Sequence, residues 1–148
     1  MDIADLLLAS AHHLLVFLLA AILAAEWVLA RPGLSGERLR LLARIDGAYG
    51  GVAMAIIAVG AARVAFGLKG WEYYVSNHVF WAKMAAFVVV GLLSIRPTIR
   101  IIAWRRTPEG QFVPDAEIRS VRAWIKAQIA VFALIPILAA VMARGVGY

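Results

Sequence analysis

Four long apolar blocks, separated by short polar stretches, organise this chain. The first runs from about Ile3 to Ala30 and the second from about Asp46 to Phe66. The third runs from about His78 to Ile102 and the fourth from about Trp124 to Ala143. Each reaches the roughly 17–25 residues that an α-helix needs to cross hydrocarbon. The pattern predicts an all-α integral membrane protein, a single domain forming a four-helix bundle over residues 1–148. Composition agrees: 64% of residues are hydrophobic, against about 45–50% in a soluble domain. The excess falls in the blocks, so it belongs to a bilayer rather than to a larger globular core.

The polar stretches alternate in charge. Arg31, Arg38, Arg40 and Arg44 lie between blocks one and two. Arg96, Arg100, Arg105, Arg106, Arg119, Arg122 and Lys126 lie around the connection between blocks three and four. Lys69 stands alone between blocks two and three. Basic loops stay in the cytoplasm, which predicts both termini outside and a multi-pass protein. The net charge of +6 is thereby explained by orientation, and no nucleic-acid-binding motif accompanies it. The N-terminal MDIADLLLAS is acidic and opens an apolar block too long for a signal core, so it reads as a retained helix. The absence of cysteine excludes disulfides, thiolate metal ligands, c-type haem attachment and iron–sulfur clusters.

Local signals refine the elements. Arg31-Pro32-Gly33 ends helix one. Pro97 and Pro136 fall inside helices three and four, where they would kink them. GLKGWEYYVSNHVFW, rich in Trp and Tyr, suits the headgroup level as a short interfacial helix or turn. RRTPEGQFVPDAE reads as a turn region, with Asp115 placed to cap a helix from near Glu117. Arg119, Arg122 and Lys126 recur at helical spacing, either lying on an anionic inner leaflet or serving orientation alone. Gly47 and Gly51 form a G-x-x-x-G spacing suited to close helix packing.

Ionisable residues inside the blocks carry the functional signal. A charge at the bilayer centre costs roughly 2.5–3.5 kcal/mol on insertion scales, so such residues face a bundle interior, pair, or bind something. His12, His13, Arg63 and Lys83 all fall in the outer half, with His78 and Arg144 at its edge. The group is entirely cationic and calls for an anionic partner. A haem supplies one: its iron takes a neutral imidazole and its propionates take Arg or Lys. Either His12 or His13 would be the axial ligand. Lys83 would be a second ligand in its neutral form, or a propionate partner with Arg63. The competing account is structural: His12 bonds across helices, while Arg63 and Lys83 snorkel to headgroups. Adjacent histidines stand about 100° apart on a helix, so one iron takes only one of them. Glu26 follows His12 by fourteen residues on nearly the same face. It is expected to pair with Arg31 or Arg44, with a proton relay as the weaker alternative, and Asp46 to pair with Arg44. G-x-S-x-G, G-x-G-x-x-G, the P-loop and H-E-x-x-H are all absent.

The segments AHHLLVFLLAAILAAEWVLARPGL, RIDGAYGG, NHVFWAKM, GLLSIRPTIR and LIPILAAVMARG resemble a family of small bacterial predicted membrane proteins of unassigned function. AHHLLVF and FWAKM also resemble the first and third helices of HemJ-type protoporphyrinogen oxidases. That resemblance implies a b-type haem held by His13 and Lys83. RAWIKAQ stands where that family carries a Trp-Phe-Asn-Glu-type segment, a departure that bears on the oxidase activity more than on the haem. CopD-type membrane domains are similar too, and copper would want Met or His ligands such as Met54, Met84 or Met142. The expectation is a membrane-embedded haem b protein working in electron transfer or in oxidation of a quinone or porphyrin. A homodimer in the lipid bilayer is expected as well. The alternative is a cofactor-free scaffold or a small-solute or copper permease.

The native chain has no cysteine, so single introduced thiols report orientation cleanly. A membrane-impermeant maleimide should label Ser35→Cys and Glu109→Cys only from the cytoplasmic side, and Lys69→Cys only from the opposite side. The reverse pattern rejects the orientation.

Overall fold

The computed structural model describes residues 3–147. It consists of helices and connections: α1 (Ile3–Leu29), α2 (Gly36–Phe66), α3 (Gly70–Val75), α4 (His78–Trp104) and α5 (Asp115–Ala143). The four long helices have 27, 31, 27 and 29 residues. At about 1.5 Å per residue each exceeds a hydrocarbon core of about 30 Å. In α2 and α4 the most apolar windows are only 11% and 6% buried. Their hydrophobic surface therefore faces outward, as lipid requires and a soluble bundle would not tolerate.

Two helices extend beyond the apolar blocks. α2 begins ten residues before Asp46, and α5 nine residues before Trp124. The extra turns are amphipathic rather than uniformly apolar. Leu39 and Leu42 of α2, and Ile118 and Val121 of α5, point into a core while charged neighbours face out. Hydropathy marks the length of the hydrocarbon crossing, whereas the helix stops only where caps and turns stop it. Pro114 occupies the N-cap of α5, and Asp115 lies in its first turn beside Glu117, not at the cap. Acidic side chains there complement the helix dipole.

The architecture is two antiparallel hairpins, α1–α2 and α4–α5, laid side by side. α1 touches α5 and α2 touches α4, while α3 bridges α2 and α4 at the end that carries the chain termini. Two apolar clusters hold the hairpins together. One, at the arginine-rich end, joins Ala30, Leu34, Leu39, Leu42, Ile101, Trp104, Val113 and Ile118 with Val121 and Ile125. The other, further toward the terminal end, joins Leu19, Ile22, Leu23, Tyr49, Ile56 and Val90.

The arginine-rich end is also locked by polar contacts. Gly33, at φ +83°, turns the chain after α1 in a conformation that a side chain would strain. The Val113 amide donates to the Leu34 carbonyl (3.1 Å), tying the two loops. The Trp104 indole donates to Glu117 (2.6 Å). Arg122 is half-buried. Its Nη1 donates to the carbonyls of Trp27 (2.7 Å) and Ala30 (2.8 Å), and its guanidinium lies 3.7 Å from the Trp27 ring. Those carbonyls end α1, where helical donors run out and the dipole is negative. Arg119 and Lys126 are exposed.

At the terminal end Asn77 is fully buried. Its side chain caps α4 by accepting from Val79 N (2.9 Å) and Phe80 N (3.2 Å), and it donates to the Val146 carbonyl (3.4 Å). Gly147 O accepts from His78 N (3.0 Å), so the C-terminal segment folds back over the start of α4. Asn77→Ala should therefore destabilise the protein by about 0.5–2 kcal/mol, measured by denaturant unfolding in micelles, and Asn77→Asp should retain most of the cap.

Candidate functional site

Polar chemistry inside the bundle divides into two sites at different depths. The first is the cationic group expected from the sequence. His12 is half-buried and lies within electrostatic reach of Arg63 and Lys83, from α2 and α4. Arg63 and Lys83 are also half-buried and within reach of each other. The His12 ring rests on Gly60, where an added Cβ would fall 3.4 Å from Cε1 and 3.7 Å from Nδ1. A Cβ there would make ordinary van der Waals contact with the imidazole, so α1 and α2 pack directly at this point. His12 Nδ1 and Arg63 Nε are buried without a hydrogen-bond partner.

His13 takes the other side of α1. It is exposed, and its Nδ1 lies 2.7 Å from the Ala9 carbonyl of its own helix. The structure therefore gathers His12, Arg63 and Lys83 and leaves His13 facing outward. His78 and Arg144 are exposed. Asp5 is the carboxylate close to this end of α2: a Cβ on Gly67 would fall 3.1 Å from its Oδ1. Gly67 lies about one turn beyond Arg63, so Asp5 borders the group without entering it. Among the described residues no three His, Cys, Asp or Glu side chains form a metal-binding group.

The second site is a polar layer between the two apolar clusters. On α1, Glu26 lies between Leu23 of one cluster and Ala30 of the other. On α2, Asp46 lies between Tyr49 and Leu42. On α4, Ser94, Pro97 and Thr98 lie between Val90 and Ile101, and on α5 Gln128 follows Ile125. Glu26, Asp46 and Gln128 are 2%, 6% and 1% exposed. Thr98 Oγ1 donates to Asp46 Oδ1 (2.8 Å). Tyr49 is within hydrogen-bonding reach of Ser94, whose hydroxyl donates to Gly91 O (2.6 Å). Asp46 lies within electrostatic reach of Glu26. Glu26 Oε1 and Gln128 Oε1 are buried without a partner.

This layer corrects two expected ion pairs. Glu26 pairs with neither Arg31 nor Arg44, and Asp46 does not pair with Arg44; both arginines are exposed. Residues 44 and 46 stand about 200° apart on a helix, so burying one turns the other outward. The salt bridge found among the described residues is Arg40–Glu109 (3.9 Å), at the exposed arginine-rich surface. Gln128, Ser94, Thr98 and Tyr49 were missed as site residues. The signal available was a single amide in the fourth apolar block and a Thr directly after the helical Pro97. Gly47, Gly50 and Gly51 are exposed with nothing within 4 Å of an added Cβ, so they do not pack this bundle.

Four lipid-length helices with polar groups turned inward define a multi-pass integral membrane protein. Residues 4–147 match the family described as predicted membrane protein (DUF2214), and the chain belongs to that family. No curated protein and no solved structure matches it.

Removal of the Thr98 hydroxyl strips the Asp46 carboxyl of its donor. Thr98→Ala should lower stability by about 1–3 kcal/mol, the penalty for a buried polar group left unsatisfied. Thr98→Ser should restore most of it, as read by thermal unfolding in detergent.

Proposed function

We propose that this protein is a membrane-embedded haem b protein of the bacterial inner membrane, with His12 as the axial ligand. One observation carries the proposal: a buried imidazole nitrogen without a protein partner stands among two cationic side chains from neighbouring helices. The residues fit the group in kind. His12 offers a nitrogen donor, and Arg63 and Lys83 offer positive charge for two propionates. Lys83 in its neutral form is the alternative second ligand. Haem, when bound, would supply a one-electron redox centre suited to electron transfer or to oxidation of a quinone or porphyrin. The resemblance of AHHLLVF and FWAKM to HemJ-type oxidases supports the same pair of helices, with His12 in place of His13 because only His12 faces inward. The exposed face of Gly47, Gly50 and Gly51 would serve a homodimer in this reading.

The test is the visible spectrum of protein purified in detergent after expression with haem supplied. The expected result is a Soret band that sharpens and shifts with dithionite, is lost in His12→Ala and survives in His13→Ala. Loss in His13→Ala alone would move the ligand to the outward histidine. A colourless wild-type protein rejects the haem and favours the cofactor-free scaffold, and metal analysis of the same sample tests copper transport.

A further inference from the structure

We infer that the polar layer around Glu26 and Asp46 binds a small monovalent cation, a proton or an alkali-metal ion. The proposal is independent of the haem. Its first support is charge. Two carboxyl groups from α1 and α2 lie within electrostatic reach of each other, nearly enclosed, at a depth sealed above and below by apolar clusters. Buried carboxylates are expensive without a positive partner. The chain has 15 Lys and Arg residues, yet among the described residues none forms a salt bridge with either carboxyl. Arg122, the cation that α5 turns inward, is engaged with the Trp27 and Ala30 carbonyls and the Trp27 ring.

The second support is an excess of acceptors. Glu26 Oε1 and Gln128 Oε1 are buried and unpartnered, on residues 98% and 99% enclosed. Glu26 on α1 and Gln128 on α5 both lie in the layer between the two apolar clusters. Pro97 is buried in α4 at the same level and supplies no N–H, so the Leu93 carbonyl loses its usual helical donor. The donors beside these oxygens are the Gln128 amide, the Tyr49 hydroxyl, Thr98, engaged with Asp46, and Ser94, engaged with Gly91. Oxygen acceptors outnumbering donors in a dry layer suit a hard cation or a proton. The titratable groups within electrostatic reach of Glu26 are Asp46 and Tyr49 from α2; α4 contributes the hydroxyls of Ser94 and Thr98 to the layer, and Arg122 of α5 is bound to the α1 carbonyls.

The test uses the intact wild-type protein in detergent and in vesicles. It is treated with dicyclohexylcarbodiimide, which modifies carboxyls that carry a proton in apolar surroundings, and the label is mapped by peptide mass spectrometry. The expected result is labelling at Glu26 that falls about tenfold per pH unit on the alkaline side of its midpoint. If the cation is a proton alone, sodium, lithium and potassium leave the rate unchanged at constant ionic strength. If an alkali ion competes for the site, one of them slows labelling and shifts the pH profile to lower pH. Asp46→Asn should preserve labelling at Glu26 and displace its pH profile. Glu26→Gln should abolish that label, though the wild-type mapping decides the question without it. Absence of label at Glu26, or labelling indifferent to pH and to every alkali ion, overturns the proposal.

Discussion

In hydrocarbon a polar atom can bond only to the protein around it, and each unmatched group costs several kcal/mol. The end of α1 shows how that constraint builds the fold. α1 stops near the membrane boundary with carbonyls that have no following turn to satisfy them. Arg122 reaches across from α5, caps two of them and covers the Trp27 ring. That contact spans the two hairpins, which otherwise meet along only part of their length. It also fixes the height of α5 against α1, and with it the layer in which Gln128 meets the level of Glu26. The loop contact from Val113 to Leu34 repeats the joint one step further out.

Around that joint the interior is graded. The cluster at the arginine-rich end draws on helix ends and both loops, and it is packed like a small soluble core. The cluster beyond the polar layer is thinner, and the long apolar surfaces of α2 and α4 are left to lipid. Stability in such a protein rests on packing and on polar satisfaction, because lipid removes the hydrophobic drive between helices. A buried Asp–Thr bond between α2 and α4 adds to the packing of those two helices.

The number of crossing helices and the alternation of basic loops were legible in the sequence because hydropathy and charge are summed over many residues. Helix ends and polar partners were not, since they depend on what stands opposite. Arg122 looked like one of three surface cations at helical spacing, and nothing in its own segment announces the α1 carbonyls it caps. Glu26 and Asp46 looked like ion-pair members because arginines lie nearby in sequence. Burial of Asp46 rotates Arg44 to the outside instead. The short helix α3 falls in the aromatic-rich connection, and the rings of Tyr73, Tyr74, Phe80 and Trp81 meet edge-on or tilted there at centroid distances of 5.3 to 5.7 Å.

That His12 rather than His13 turns inward is legible from the spacing of Glu26 along α1. His12, Leu19 and Glu26 recur at intervals of seven, close to two helical turns, so they lie along one stripe of α1. Leu19 and Glu26 are buried and His12 is turned the same way, while His13 is rotated by about 100° toward lipid. The same stripe separates the two polar sites by fourteen residues, about 21 Å of helix, with Leu19, Ile22 and Leu23 filling the interval. A bundle that needed only to neutralise its buried charges would have set these cations and carboxyls at one depth as ion pairs. This one holds them apart behind an apolar plug, leaving the cations short of an anion and the carboxyls short of a cation. That separation is what turns two costly clusters into candidate binding sites of opposite sign.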